Sequence, residues 1–545
     1  MSGGLAPWFN PSLIVAPSPL STWPPYRSLF RYQSSAQRDA GTEYWLTWLA
    51  DVQATMTPIV NDTFDRCYFT GDGVPKVTSS DIIDSGSGAY PQVSYAIGVP
   101  APITAPTVAV SGVATSDDPT EAISRSVVYT FVNEYGEESA PSPVSDIVTT
   151  LPGQQIDITA LETTLGAIYR PMDEKRIYLT NTGTSGTAYQ LAETLAPAAT
   201  VATPVLHEFT DFGEVLSSEG WLPPPDDMIG LVALPWGALA GFAPNDPLGG
   251  SGNAVYISAP YQVHAWLLEQ AFAVTEQIIA LAAFGNSLLV LTNGLPTITT
   301  GTDPSALSIE RLETGYACAS RRGVANVNGD ILYPCSEGIA SVSVGGSKLI
   351  TEGIITEREW KDYYPATMVA GEYAGHYVAF FDSSYDAITG YTNPRDANAT
   401  RGGLVFNPKT GQLIVLSGLE ATALHAYLGG DRLGMHVYAG STIRAWDGDS
   451  ASPLTYTWKS GPQFTPYEAS FGAMRVYADN YPVTAKVYLD GALIHTQAVA
   501  SEEAFRLPPD FTGRRWQVQI EGTHNVSQVF IAGSMEELDR IDDDG

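Results

Sequence analysis

Between residues 229 and 342 the chain repeats one pattern, short apolar runs cut by glycine, asparagine, proline and serine. The series opens with Ile229-Gly-Leu-Val-Ala-Leu-Pro-Trp-Gly-Ala-Leu-Ala-Gly-Phe242 and continues through Val255 to Trp266, Ile278 to Leu291 and Asp330 to Val342. Runs this short leave too little room for helices between their breaks, and the breaks are the residues that tight turns require. Antiparallel hairpins, arranged as blades, are the arrangement such a stretch can reach. The rest of the composition agrees, with 28 Tyr, 11 Trp, 51 Gly and 38 Pro in 545 residues, the usage of strands joined by many turns. Helical periodicity is expected only over Ser35 to Thr57 and Thr356 to Tyr364. The fold class is therefore all-β.

A chain of this length is expected to divide into several domains. Gly, Ser, Pro, Ala and Thr dominate from Asp84 to Ile123, which reads as a linker. Beyond it Ser126-Val-Val-Tyr-Thr-Phe-Val132 alternates, with Val127, Tyr129 and Phe131 on one face. Lys175-Arg-Ile-Tyr-Leu-Thr180 returns through a Gly/Ser/Thr turn as Ala188 to Ala192. These strands predict an immunoglobulin-like or fibronectin-like sandwich over residues 101–222, closed by Pro223-Pro-Pro225. As a self-contained module it is expected to be dispensable to its surroundings.

Blades are expected over 223–450. If the strand at Arg66 to Phe69 pairs into them, residues 1–100 belong to a β-propeller-like core that the sandwich interrupts, and the two ends close it. Residues 451–545 alternate cleanly at Met474 to Ala478, Ala485 to Ile494 and Trp516 to Ile520. Asp490-Gly491 is a hairpin turn, so a small C-terminal β-sandwich is expected there, followed by a solvated tail from Glu536 carrying six acids.

Fifty-nine acidic residues against 27 basic ones give a formal net charge of −32. That excess excludes a broad basic face for nucleic acid, because phosphate affinity comes from Lys and Arg. It fits both a soluble surface and a wall past which DNA slides. Cys67, Cys318 and Cys335 are too few, too scattered and odd in number for a disulfide framework or a metal site, and are expected as buried thiols. No apolar run reaches membrane-spanning length, and Met1 to Asn10 lacks the pattern of a signal peptide. Synthesis in a reducing cytoplasm, with exit only inside a particle, is the expectation.

Glycoside hydrolysis needs two carboxylates across one bond. Asp117-Asp118, Glu137-Glu138, Asp226-Asp227 and Glu502-Glu503 are adjacent pairs whose members point to opposite faces of a strand, and they read as solvated acids. No Ser-x-Asp-x-Gly-x-x-x-Trp repeat of sialidase-like blades is present. The seven histidines, His207, His264, His376, His425, His436, His495 and His524, form no zinc motif. Asp382-Ser-Ser-Tyr-Asp386 and Asp447-Gly-Asp449 read as turns, since neither completes a calcium loop. Neither a phosphate-binding loop nor a nucleophile elbow occurs. The sequence assigns no catalytic, cofactor or metal residue, and the chain is not expected to be an enzyme. The densest cations of the middle region are Arg321, Arg322, Lys348, Arg358 and Lys361.

Four segments carry a family resemblance: Ser258-Ala-Pro-Tyr-Gln-Val-His-Ala-Trp266, Leu288 to Pro296 with Gly301-Thr-Asp-Pro304, Cys318-Ala-Ser-Arg-Arg322 with the turn Tyr333 to Gly338, and Asp65 to Lys76. In these the chain resembles tailed-bacteriophage virion structural proteins of the tail nozzle and tail tube type. Tyr129 to Pro143 is similar to the sandwich modules of phage tail proteins. The resemblance implies a structural role in the virion tail: a homo-oligomeric ring, by analogy a hexamer, that conducts genomic DNA without binding it specifically. Adaptor, fibre or spike proteins are the implied neighbours, and no membrane span is expected. It makes His264 a packed blade-edge residue and Arg321, Arg322, Arg358 and Lys361 candidates for contact with an acidic neighbouring subunit. The rival readings are a tail-associated glycan-binding or depolymerase protein, and a secreted adhesion protein.

Overall fold

Strands that are apolar on both faces must be covered on both, and this requirement organises the protein. The computed structural model describes residues 5–15, 26–34, 43–183, 186–204, 212–244, 253–343, 345–386, 390–391, 399–427 and 434–543. The chain forms two compact units, residues 16–443 and residues 1–15 with 444–545.

In the larger unit, seven antiparallel sheets follow one another as blades among the described residues. The first is the hairpin Ser28–Tyr32 with Tyr44–Trp48, and the second is Gln53–Met56, Cys67–Thr70, Lys76–Thr78 and Tyr95–Ala96. The third runs from Ile229–Leu234 to Gln262–Trp266, the fourth from Ile278–Phe284 to Ser308–Arg311, and the fifth from Ala325–Val327 to Gly346–Leu349. The sixth is Val369–Tyr373, His376–Asp382, Arg401–Asn407 and Gln412–Leu416; the seventh begins with Ala423–Tyr427 and Gly434–Ala439.

Consecutive blades share apolar cores, because the two faces of each strand serve two different neighbours. In the third blade Leu239 and Ala243 join Tyr68 and Val77 of the second, whereas Ala240 and Phe242 join Leu281 and Val290 of the fourth. Leu289 and Leu291 then meet Ile331 and Tyr333 of the fifth, and Val327 and Ile339 meet Tyr377 and Leu404 of the sixth. Gly371 of the sixth leaves room for Leu424 and Ala426 of the seventh. Tyr26, Leu29 and Trp45 pack with Ala423, Tyr438 and Ile443, so the seventh blade returns to the first. The core is a closed β-propeller.

Two expectations change here. Residues 43–57 form the strands Tyr44–Trp48 and Gln53–Met56 rather than a helix, while 35–42 lie outside the described residues. Trp45 faces the seventh blade and Leu46 and Trp48 face the second, and that burial on both faces hides the period of two. The strand Cys67–Thr70 does not pair with a blade beyond Pro225; it belongs to the second blade's own sheet and packs face to face against the third. Thr356 to Tyr364 holds the short helix Glu357–Lys361, capped reciprocally by Thr356 and Glu359.

Between Tyr95–Ala96 and Ile229–Leu234 lies the sandwich. Met172–Gly183 pairs with Val127–Asn133 on one side and Gly186–Leu195 on the other, with Thr180 opposite Tyr189. Val127, Tyr129 and Phe131 pack on Ile156, Ile158, Ile177 and Leu179. The module is not self-contained. Its turn after Asn133 drives Tyr135 into the core shared by the second and third blades. There Glu137 Oε1 accepts from Arg66 Nη1 at 2.6 Å, and Arg66 Nε donates to Asp62 at 2.9 Å. Arg170, at the base of the module, pairs with Asp81 and Glu134 and lies over the Tyr135 ring. Glu137-Glu138, expected as solvated acids, are therefore enclosed: Glu138 takes Arg176, Thr130 and Tyr178 as partners.

The smaller unit is the C-terminal sandwich. Tyr456–Lys459, Gly513–Gly522, Val483–Leu489 and Ala492–Val499 form one sheet, and Phe505–Arg506, Ala473–Ala478 and Val526–Ala532 the other. Met474 and Val476 face Ala485, Val487, Trp516 and Ile520 between them. Asp490 and Gly491 both take positive φ, 51° and 91°, at the turn that sets Leu489 opposite Ala492. Residues 9–15 are the strand Phe9–Val15 of this unit. Nor is the acidic C-terminus a free tail: Met535–Asp543 is a helix, Leu538 is buried beside Ala473 and Ala532, and Asp539 takes Arg475. Among the described residues no helix is long and apolar enough to cross a membrane.

The seated turn carries an expected outcome. Glu137→Leu leaves Arg66 charged and buried, with a loss of about 3–5 kcal/mol, read as a lower melting temperature of the larger unit. The triple variant Asp62→Asn/Arg66→Met/Glu137→Leu, which removes all three buried charges, recovers much of it. Excision of residues 101–222 exposes Tyr68 and Val77 and leaves Arg66 without Glu137, so the excised chain is expected to be less soluble and less cooperative on heating than the full chain.

Candidate functional site

Seven inner strands line one axis, and their first residues converge at one end of it. Ser28, Gln53, Val369 and Leu424 border a cavity of about 360 Å³ there, together with Arg27, Asp51, Arg321, Arg322 and His425. Arg321 and Gln53 also border a second cavity of about 250 Å³, lined further along by Val232, Ala280, Ala282 and Asn326. A third, of about 350 Å³, lies by Leu234, Phe284 and Asn326. Met56, Tyr427 and Arg31 border a fourth of about 500 Å³ where their strands end. Alanine and glycine dominate the middle of this path because inner strands converge there and leave no room for larger side chains.

The sequence Cys318-Ala-Ser-Arg-Arg322 builds the barrier at the first end. Ser320 Oγ donates to Met368 O at 2.7 Å, fixing the 3₁₀ turn Arg321–Gly323 against the start of the sixth blade. From that turn Arg321 Nη2 reaches Asp51 Oδ2 at 2.7 Å, just before the second blade. Arg322 Nη2 donates to Arg27 O at 2.7 Å and to Thr422 O, just before the first and seventh blades. Its guanidinium lies 5.2 Å from the centre of the Tyr385 ring. Gln53 Nε2 donates to Asp51 Oδ1 at 2.9 Å and its Oε1 accepts from Gly230 N at 3.3 Å, which brings in the third blade. The dipeptide thus links three other blades to the fifth, with Ser320 adding the sixth and Gln53 the third.

Burial pushes the Asp51 carboxyl up, but Arg321 and Arg322 together outweigh it and hold the group below its ordinary value of 3.8. On the neighbouring hairpin His425 stands opposite His436. Burial first, then His436 and Arg31, pushes His425 down to about 3; burial and Arg31 push His436 down to about 4, against Glu43. Both rings pack on aromatics, Phe30 and Trp45.

Of the four cations expected at a subunit boundary, Arg321 and Arg322 have partners inside the chain, the carboxylate of Asp51 and the carbonyls of Arg27 and Thr422. Arg358 and Lys361 lie exposed on the helix Glu357–Lys361, where Lys361 pairs with Glu357 at 2.7 Å. That helix is held by Trp360, fully buried and donating to Cys335 O at 2.8 Å. His264 is buried 4.0 Å from Glu137, edge-on to Trp221, and burial pushes its pKa down. Asp382 is a turn residue: Oδ1 accepts from Ser384, and Oδ2 from Arg401. Asp447-Gly-Asp449, expected as a turn, lies instead within the strand Thr442–Pro453, where Asp447 Oδ1 accepts from Phe9 N. Cys67, Cys318 and Cys335 are buried free thiols, and burial pushes Cys318 and Cys335 up to about 12. Among the described residues no group of three or more His, Cys, Asp or Glu is placed to hold a metal ion. The sequence singles out Arg321-Arg322 but gives no sign of Asp51, their partner across the propeller.

No protein-family model matches the chain, and no curated protein matches it. Among solved structures it is similar to PorZ, described as an essential bacterial surface component of the type-IX secretion system of Porphyromonas gingivalis. That match has 10% identity, covers 82% of this chain and 70% of PorZ, and has a TM-score of 0.27. A second match, to the tricorn protease, has 10% identity, covers 84% of this chain and 48% of that one, and has a TM-score of 0.23.

Asp51→Asn removes the carboxylate between two guanidiniums, with an expected loss of about 1–3 kcal/mol for a partly exposed pair, between the surface and buried cases. Because the folded-state pKa of Asp51 is depressed, the wild-type contribution is complete above the ordinary carboxylate range and disappears as the pH falls through the depressed value. The histidines act over a different window. The unfolded chain protonates them near their ordinary 6.5 while the folded hairpin resists until about 3 to 4, so stability falls as the pH drops below 6.5. Melting curves across that range should flatten in His425→Phe/His436→Phe relative to wild type.

Proposed function

We propose that this chain is a structural component of a phage tail, a subunit of a nozzle or tube ring that conducts DNA and carries fibres or a spike. The observation that supports it most is where the few cations lie. Among the described residues Arg66, Arg125, Arg170, Lys175 and Arg475 are buried, against Glu137 and Asp382 among the acids. Burial therefore leaves the surface more acidic than the formal −32 already implies. A surface that withholds its guanidiniums offers phosphates few partners, as a conduit past which DNA slides requires.

The propeller's own axis is not the conduit in this reading, since Arg321 and Arg322 cross its first end. The bore lies between copies. Like charges repel as copies approach, so assembly is expected to strengthen with added salt, whose screening shortens that reach to about 8–10 Å near physiological ionic strength.

Sedimentation of the purified chain over a salt series, electron imaging of the assemblies and duplex-DNA retention test the proposal together. Closed rings with an acid-lined bore, favoured by salt and retaining no DNA at low salt, are the expected result. A chain that stays monomeric at every salt concentration, or a bore lined by arginine and lysine with steeply salt-dependent DNA binding, overturns it.

A further inference from the structure

The cavity at the arginine end of the propeller axis is a built, charge-unbalanced site. Among the described residues that line it, three guanidiniums, Arg27, Arg321 and Arg322, meet one carboxylate, Asp51. Arg322 spreads its charge over the carbonyls of Arg27 and Thr422 and the face of Tyr385. Arg321 has Asp51 as its ion-pair partner, and its side chain stays 22% exposed where it borders the cavity. A guanidinium offers five N–H donors, more than one carboxylate can serve, and the natural acceptor beside an excess positive charge is an anion.

Space for such an anion exists on both sides of the group, because Arg321 and Gln53 border the cavities of about 360 Å³ and 250 Å³ alike. Those volumes suit a small ligand and exclude a polymer. The planar fork of an arginine matches the two oxygens of a carboxylate or phosphate. Ser28 Oγ, which also lines the larger cavity, is already committed to Ala50 O and Val52 N.

We propose that this axial pocket binds a small oxyanion, a phosphate or a carboxylate, held chiefly by Arg321 and set at the point where the blade entry strands meet. Occupancy ties the second, third and fifth blades through one ligand, so binding raises the melting temperature of the larger unit by mass action. The site is independent of the tail assignment: it stands or falls on the pocket alone.

Calorimetric titration of the full chain tests it, with inorganic phosphate in one arm and succinate in the other, in buffer free of other oxyanions. The expected result is one site per chain in at least one arm, which identifies the preferred anion. Arg321→Gln should weaken binding about tenfold or more, the loss of one charge-assisted contact, whereas Lys361→Gln, on the exposed helix, leaves it unchanged. Absence of binding in both arms, or undiminished binding by folded Arg321→Gln, overturns the proposal. Should Arg321→Gln fail to fold, wild-type crystals soaked in selenate decide the matter by anomalous scattering. A peak beside Arg321 supports the site, and peaks only elsewhere, or none, overturn it.

Discussion

A propeller closes by bringing together elements far apart in the chain, and here a few charged groups at the axis do that joining. The apolar cores between blades are each shared by two neighbouring sheets, and one of them joins the seventh blade to the first. Arg321 and Arg322 supply a second, polar long-range term. From one turn of the fifth blade they reach the starts of the first, second and seventh, while Ser320 beside them holds the sixth. Arginine suits this place because five rigid donors can serve a carboxylate and several carbonyls at once.

The second organising feature is the way the inserted sandwich is seated. Insertions usually enter and leave a host through neighbouring surface points and contribute little to its core. This one contributes Tyr135 and Glu137 to the interior of the second and third blades, with Arg66 as the receiving charge. A buried pair of this kind is weak evidence for stability but imposes a strict geometric requirement, since either partner alone is a buried charge. The sandwich is thereby held at a defined place on the propeller.

Charge follows the same division between inside and outside. The interior takes a disproportionate share of the scarce arginines and lysines, and the surface keeps the acids. In simple physical terms that distribution has a consequence: copies of the chain repel unless salt or apolar contact intervenes.

Much was legible from residue pattern alone. Alternation at Val127 to Val132, the return of Lys175 to Thr180 as Ala188 to Ala192, and Asp490-Gly491 at its hairpin are local signals, fixed by side-chain direction and turn chemistry over a few residues. The threonine cap at Thr356 is equally local. Tyr44 to Trp48 misled because burial on both faces erases the period that separates strand from helix, and the C-terminal acids misled because the few apolar residues that anchor their helix, Met535 and Leu538, are outweighed by six carboxylates. The pairing of Asp51 with Arg321 and of Arg66 with Glu137 had no sequence signal at all. An ion pair is recognised by proximity, and proximity between residues so distant in the chain exists only after the ring has closed. The sequence by itself determined that this chain must be sheets with two kinds of β module; the tertiary structure decided which charges are buried, which blade meets which, and where a pocket remains on the axis.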